Sequence, residues 1–164
     1  MSLIVSDASP LIVLARSDLL GVLAAVAGQV ILPDTVMTEC TAARHRPGAQ
    51  AILRASDDGL IDVRPDIPLA WPGGLPPMLD AGELAAIALA RQLECGVLKD
   101  ERIGRRVARQ IGIPVIGSAG ILLAAKAQGH VVAIAPILAA WQGWGHFLGP
   151  DLLKAVLARA GEGA

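Results

Sequence analysis

The chain reads as one α/β domain built on a short parallel sheet, and three observations predict this. The stretch 80–127 alternates helix, strand, helix, strand and helix patterns, which is a βαβα run and implies parallel strands. The short runs at 3–6, 29–32 and 96–99 have the length and the apolar content of strands, the first with turn chemistry directly after it. At 164 residues, with 54% of them apolar but one Phe, three Trp and no Tyr, the chain can build a single aliphatic, helix-rich core and is short for two ordinary domains.

Taken in order, residues 3–6 form the first strand. Ser9 is placed to cap, and Pro10 to open, a following helix with apolar residues at helical spacing through Leu14 and again from Leu19 to Val26. A second strand covers 29–32, and Pro33 opens a helix carrying Val36, Glu39 and Cys40 that ends before Arg44-His45-Arg46-Pro47-Gly48. A third helix spans 49–56, and 60–63 fits an edge strand. Trp71-Pro72-Gly73-Gly74-Leu75-Pro76-Pro77 excludes regular structure and marks a loop long enough for a lid. The clearest helix runs 80–93, then strand 96–99, helix 102–111, strand 113–116 and helix 118–127. Two more helices, 135–144 and 150–160, close the chain, the last with Pro150 at its first position.

Composition narrows function only a little. A formal net charge of −1 excludes the basic field of a non-specific nucleic-acid coat and leaves room for a local basic patch. Cys40 and Cys95 lack zinc or disulfide spacing, and His45, His130 and His146 fall in loops without ligand spacing. The amino-terminal stretch has no basic lead and is broken by Asp7, so neither a signal peptide nor a membrane span is expected, and a cytoplasmic protein is the default.

Chemistry is suggested by four acids. Asp7 and Asp100 each end an apolar strand, at the carboxyl edge of a parallel sheet, where open α/β folds place their sites. Glu39 and Glu83 stand on helices that follow or precede such strands. Each acid has a structural alternative: Asp7 and Asp100 as turn caps, Glu39 as a solvated helix residue, and Glu83 with Asp80 as a capping box. If the first and fourth strands are neighbours, Asp7 and Asp100 lie close, and like charges so placed call for a cation. Oxygen donors select a hard ion such as Mg²⁺ or Mn²⁺. Glu101 offers an outer ligand. Arg102, Arg105, Arg106 and Arg109 fall at i, i+3, i+4 and i+7 on one helix, a stripe suited to a phosphate backbone or to plain solvation, with Arg102 also able to pair with the acids. Ser9 is a cap rather than a nucleophile, because no Gly-x-Ser-x-Gly turn accompanies it. Trp141 and Trp144 are spaced on one helix face and suit packing or a partner contact.

Val5-Ser6-Asp7-Ala8-Ser9-Pro10-Leu11-Ile12, Leu32-Pro33-Asp34-Thr35-Val36 leading to Glu39, Gly82-Glu83 with Ala86-Ile87-Ala88-Leu89-Ala90, and Val97-Leu98-Lys99-Asp100-Glu101-Arg102 together resemble the motifs of the PIN-domain family, over about residues 3–127. The resemblance implies a three-layer α/β/α fold with a short central parallel sheet. It also implies cleavage of single-stranded RNA at a Mg²⁺ or Mn²⁺ centre held by Asp7, Glu39, Glu83 and Asp100, leaving a 5′-phosphate and a 3′-hydroxyl. Many such proteins are similar to the toxin half of a toxin–antitoxin pair, so an antitoxin is an expected partner. The apolar excess adds a homodimer to that expectation. Two positions depart from the pattern: Glu83 stands where many relatives have Asp, and Lys99 puts a charge where a small polar residue is common. These departures, with near-neutral charge and few aromatics for base stacking, support an alternative: a PIN-like nucleic-acid-binding or regulatory module with a weak or inactive site.

Overall fold

In the computed structural model, residues 2–68 and 78–163 are described; the Pro-rich loop expected around 71–77 lies outside them. Five strands form one parallel sheet: β1 (Leu3–Ser6), β2 (Gln29–Pro33), β3 (Ile61–Arg64), β4 (Gly96–Leu98) and β5 (Val115–Ile116), in the order β3-β2-β1-β4-β5. The register pairs Val5 with Ile31 on one side and with Val97 on the other. Those three side chains are fully buried, which is why the central strands read as unbroken apolar runs. As expected, β3 is an edge strand, and β1 and β4 are neighbours.

The helices in the first part of the chain are α1 (Ala8–Arg16), α2 (Leu20–Ala27), α3 (Asp34–Thr41), α4 (Pro47–Asp57), α5 (Ala81–Leu93) and α6 (Arg102–Gln110). Travel along the sheet runs from β1 outward to β3 and then jumps back to β4 and β5. Right-handed crossovers therefore put α1 to α4 on one face and α5 and α6 on the other, giving three layers. The first helix begins two residues earlier than Ser9 as cap requires: Asp7 has the extended N-cap backbone, and Ser9 and Pro10 lie within the first turn. A residue at positive φ, Asp18, separates α1 from α2. The start of α5 is the expected capping box, with Asp80 Oδ1 accepting from the Glu83 N–H at 2.8 Å and Glu83 Oε2 accepting from the Asp80 N–H at 3.0 Å.

The chain divides into two compact units, Met1–Ser118 and Ala119–Ala164. Most of α7 (Ser118–Ala127), with α8 (Ala135–Gly143) and α9 (Pro150–Arg159), belongs to the second. Within it Glu162 accepts hydrogen bonds from the Ile134 and Ala135 N–H groups at the start of α8 and from Lys126 Nζ at 2.9 Å. Trp141 is fully buried and meets the His146 ring edge-on, whereas Trp144, at the C-cap of α8, is exposed; the two tryptophans therefore do not share one packed face. Cys40 and Cys95 are free thiols. Among the described residues, no helix is long and apolar enough to cross a membrane.

Candidate functional site

The order β3-β2-β1-β4-β5 reverses direction between β1 and β4, and the crevice outside their carboxyl ends is where a sheet of this kind leaves room for a site. Asp7 follows β1 directly, Lys99 and Asp100 follow β4, and the Asp7 N–H donates to Leu98 O at 3.0 Å, locking the two strand ends together. Glu83 is brought in by the capping box of α5, and Glu39 by α3.

The centre of this cluster is a lysine. Lys99 is completely buried, and its ammonium donates to Asp7 Oδ2 at 2.8 Å and to Glu83 Oε1 at 3.0 Å, both carboxylates being buried as well. This explains why Asp7 makes no side-chain cap bond to α1: its carboxylate is turned to the lysine. Glu83 is held from two sides, Oε2 on the Asp80 N–H and Oε1 on Lys99. Burial works against the Lys99 charge, but the charges of Asp7 and Glu83 and their hydrogen bonds outweigh it, and the pKa is held above the ordinary lysine value. The lysine stem runs where Gly104 of α6 has no side chain; a Cβ on Gly104 would overlap Lys99 Cε. At the start of α5, Gly82 makes similar room, since a Cβ there would overlap the Glu39 carboxylate.

Glu39 is the exposed member of the cluster. Partial burial first, and then the negative charges of Asp80, Asp7 and Glu83, raise its pKa above the ordinary carboxylate value, with Lys99 opposing.

Asp100 is held by the start of α7. Its Oδ1 accepts from the Ser118 N–H and its Oδ2 from Ser118 Oγ, both at 2.7 Å, so it is tied to the first residue of α7. Glu101, expected as an outer metal ligand, is the N-cap of α6: its Oε1 accepts from the Ile103 N–H at 2.9 Å and its Oε2 from the Gly104 N–H at 2.7 Å. These bonds hold its pKa below the ordinary carboxylate value even though burial pulls the other way. The basic stripe on α6 also divides. Arg102, Arg106 and Arg109 are exposed, while Arg105 is half-buried and donates to Lys99 O at 2.8 Å. Ser9 is exposed in the first turn of α1.

Asp7, Glu39 and Glu83 are thus gathered at one sheet edge with Asp80, and Asp100 stands beside them with its oxygens engaged. The hard divalent ion expected from the sequence does not fit this donor set as it stands. The Lys99 ammonium stands within hydrogen-bond distance of both Asp7 and Glu83, so a second cation between those two carboxylates would meet a like charge. Among the described residues no group of three or more His, Cys, Asp and Glu side chains is arranged to hold a metal ion. Lys99, a departure from the family pattern in sequence, is the group at this site whose role the motifs do not announce. Its signal was a charge at the end of an apolar strand, followed five positions later by glycine.

The three layers and the acidic crevice at the switch point define an α/β domain of nuclease-like fold. The profile describing the PIN domain matches residues 3–162, and the chain belongs to the PIN-domain family. That match runs through the last two helices, beyond the residues 3–127 that carried the motif resemblance. Among solved structures, the chain is similar to a PilT N-terminus domain protein from Sulfolobus solfataricus, with 16% identity, a TM-score of 0.48 and coverage of 79% of this chain and 96% of that one. It is also similar to a domain of a functionally unknown protein from Methanocaldococcus jannaschii, with 15% identity, a TM-score of 0.47 and coverage of 71% and 91%. Comparison with curated proteins found no match.

Proposed function

We propose that this PIN-domain chain is a cytoplasmic endoribonuclease of single-stranded RNA. The observation that carries the reading is the convergence of Asp7, Glu39 and Glu83 at the switch point of a nuclease-like fold. Exposed Arg102, Arg106 and Arg109 lie at i, i+4 and i+7 of α6, so one helix face offers cations to a phosphate backbone. Glu39 is the carboxylate that substrate can reach, and its raised pKa suits it to accept a proton at a carboxylate oxygen from an attacking water. Asp7 and Glu83 are positioning groups in the arrangement observed, each held by Lys99.

Mg²⁺ or Mn²⁺ belongs to this reading as the cofactor expected of Asp7, Glu39, Glu83 and Asp100. Because the donors as placed do not fit it, no step is assigned to the ion. A toxin role, with an antitoxin segment or a second copy of this chain covering exposed Val132, Trp144, Phe147 and Leu152, completes the proposal.

The engagement of Lys99 favours a second reading, an RNA-binding or regulatory module without turnover. Incubation of the purified protein with a mixed RNA pool in Mn²⁺ or Mg²⁺, with EDTA, Asp7→Asn and Glu39→Gln controls, separates the two. Discrete cleavage abolished by Asp7→Asn and by Glu39→Gln is the result expected of the ribonuclease, and the EDTA arm reports whether an ion takes part. Cleavage that survives both substitutions refutes it. RNA retention without cleavage by the folded protein supports the binding module.

A further inference from the structure

We infer that Lys99 is the resident cation of the acidic pocket: its ammonium stands between Asp7 and Glu83 where a divalent ion would be expected, and competes with such an ion for both carboxylates. The inference takes its location from the pocket proposed above as the reaction site, and it concerns how that pocket is kept closed to metal.

Three features of the chain carry it. The contacts of 2.8 and 3.0 Å are ammonium–carboxylate hydrogen bonds, well outside the ~2.0–2.1 Å reach of Mg²⁺ to oxygen, so an ion at the same point requires the lysine to leave and the carboxylates to close in. The position is also built. Lys99 N donates to Ile116 O at 2.9 Å, Arg105 Nη1 donates to Lys99 O at 2.8 Å, and the absent side chain of Gly104 provides the channel for the lysine stem. Finally, Glu83 cannot simply turn away from the ammonium, because its other oxygen is held by the capping box.

A surface lysine that reached an acid by chance would need none of this. The arrangement balances one of the two negative charges of Asp7 and Glu83 without any ion from solution. It leaves Glu39, exposed beside them, as the carboxylate able to respond to an added cation.

The test is Mn²⁺ binding to the full chain, read by the loss of the free-ion electron paramagnetic resonance signal and by calorimetry. Wild type is expected to show no saturable sub-millimolar site. Lys99→Met removes the competing charge, and Gly104→Ala keeps every charge while its methyl group displaces the lysine stem. Both variants are expected to bind Mn²⁺ on the order of a hundredfold more tightly than wild type, as removal of a like charge a few ångströms from the ion predicts. Circular dichroism melts establish that each variant is folded.

Sub-millimolar binding by wild type that Asp7→Asn abolishes overturns the inference whatever the variants do. So does equal affinity of wild type and folded Lys99→Met. RNA cleavage is not the readout, so the inference can fail while the ribonuclease reading stands, and the ribonuclease reading can fail while the inference stands.

Discussion

Replacing Lys99 by Met tests the pocket through stability as well as through metal. The side chain is of similar length and apolar, so the stem packing beside Gly104 is largely kept and the change is mainly one of charge. At an effective dielectric constant of about 20, ion pairs at 2.8 and 3.0 Å are worth about 6 kcal/mol each before desolvation. Burying the three groups offsets much of this, at several kcal/mol per ion. What remains on deleting the cation is the cost of leaving two carboxylates buried without it, about 3–5 kcal/mol, or a fall in Tm on the order of 10 °C for a chain of this length.

Urea denaturation of Lys99→Met, Asp7→Asn and the double variant measures this directly. The double variant should lose less than the sum of the two single losses, with a coupling of at least about 1 kcal/mol. Added Mn²⁺ should stabilise Lys99→Met and leave wild type unmoved, because a ligand stabilises only the state that binds it. A loss below about 1 kcal/mol together with no coupling would refute the reasoning and make the ammonium a bystander.

Two further outcomes are expected elsewhere in the chain. Gly28, at φ +93°, lies where a Cβ would run into the Ser2 carbonyl, so Gly28→Ala should cost about 2–3 kcal/mol, and an unchanged urea midpoint would contradict this. Glu162 has its pKa lowered from 4.5 to about 2, first by the Ile134 N–H, then by Lys126 and the Ala135 N–H. Its folded pKa lies below the unfolded one, so its stabilisation is complete above about pH 4.5 and is lost as pH falls toward 2. Thermal melts stepped through that range should show a weaker pH dependence in Glu162→Gln than in wild type.

The frame of the protein was legible because it depends on local signals. Unbroken apolar runs such as Ile4-Val5 and Val97-Leu98 mark strands buried on both faces, and the βαβα order marks them as parallel. Asp80 and Glu83 spell out a capping box at fixed offset, and it forms as spelled. The position of Asp7 at a strand end was equally readable, as was its neighbourhood with the fourth strand.

Side-chain direction was not readable, because it is decided by partners distant in sequence. Lys99 meets Asp7 across 92 positions and Glu83 across 16. Asp100 follows the strand end beside Asp7, as the strand order requires, but its hydrogen bonds from Ser118, 18 positions on, were not readable. Arg105 shares the helical stripe of Arg102, Arg106 and Arg109 by spacing, yet the carbonyl of Lys99 draws it inward. The first helix starts two residues before the point that Ser9 as cap would set, since Asp7 and Ser9 are both good capping types and only the backbone at Asp7 decides between them.

The vacancy at Gly104 ties two sites of mutation into one unit of inheritance. In this chain a lysine stem at 99 and any side chain at 104 exclude one another, because a Cβ at 104 would overlap the stem; a methyl group there removes the space that a long base at 99 needs. The two positions, five apart in sequence, one at a strand end and one on a helix, are therefore read together: the helix leaves unfilled the volume that the strand end occupies.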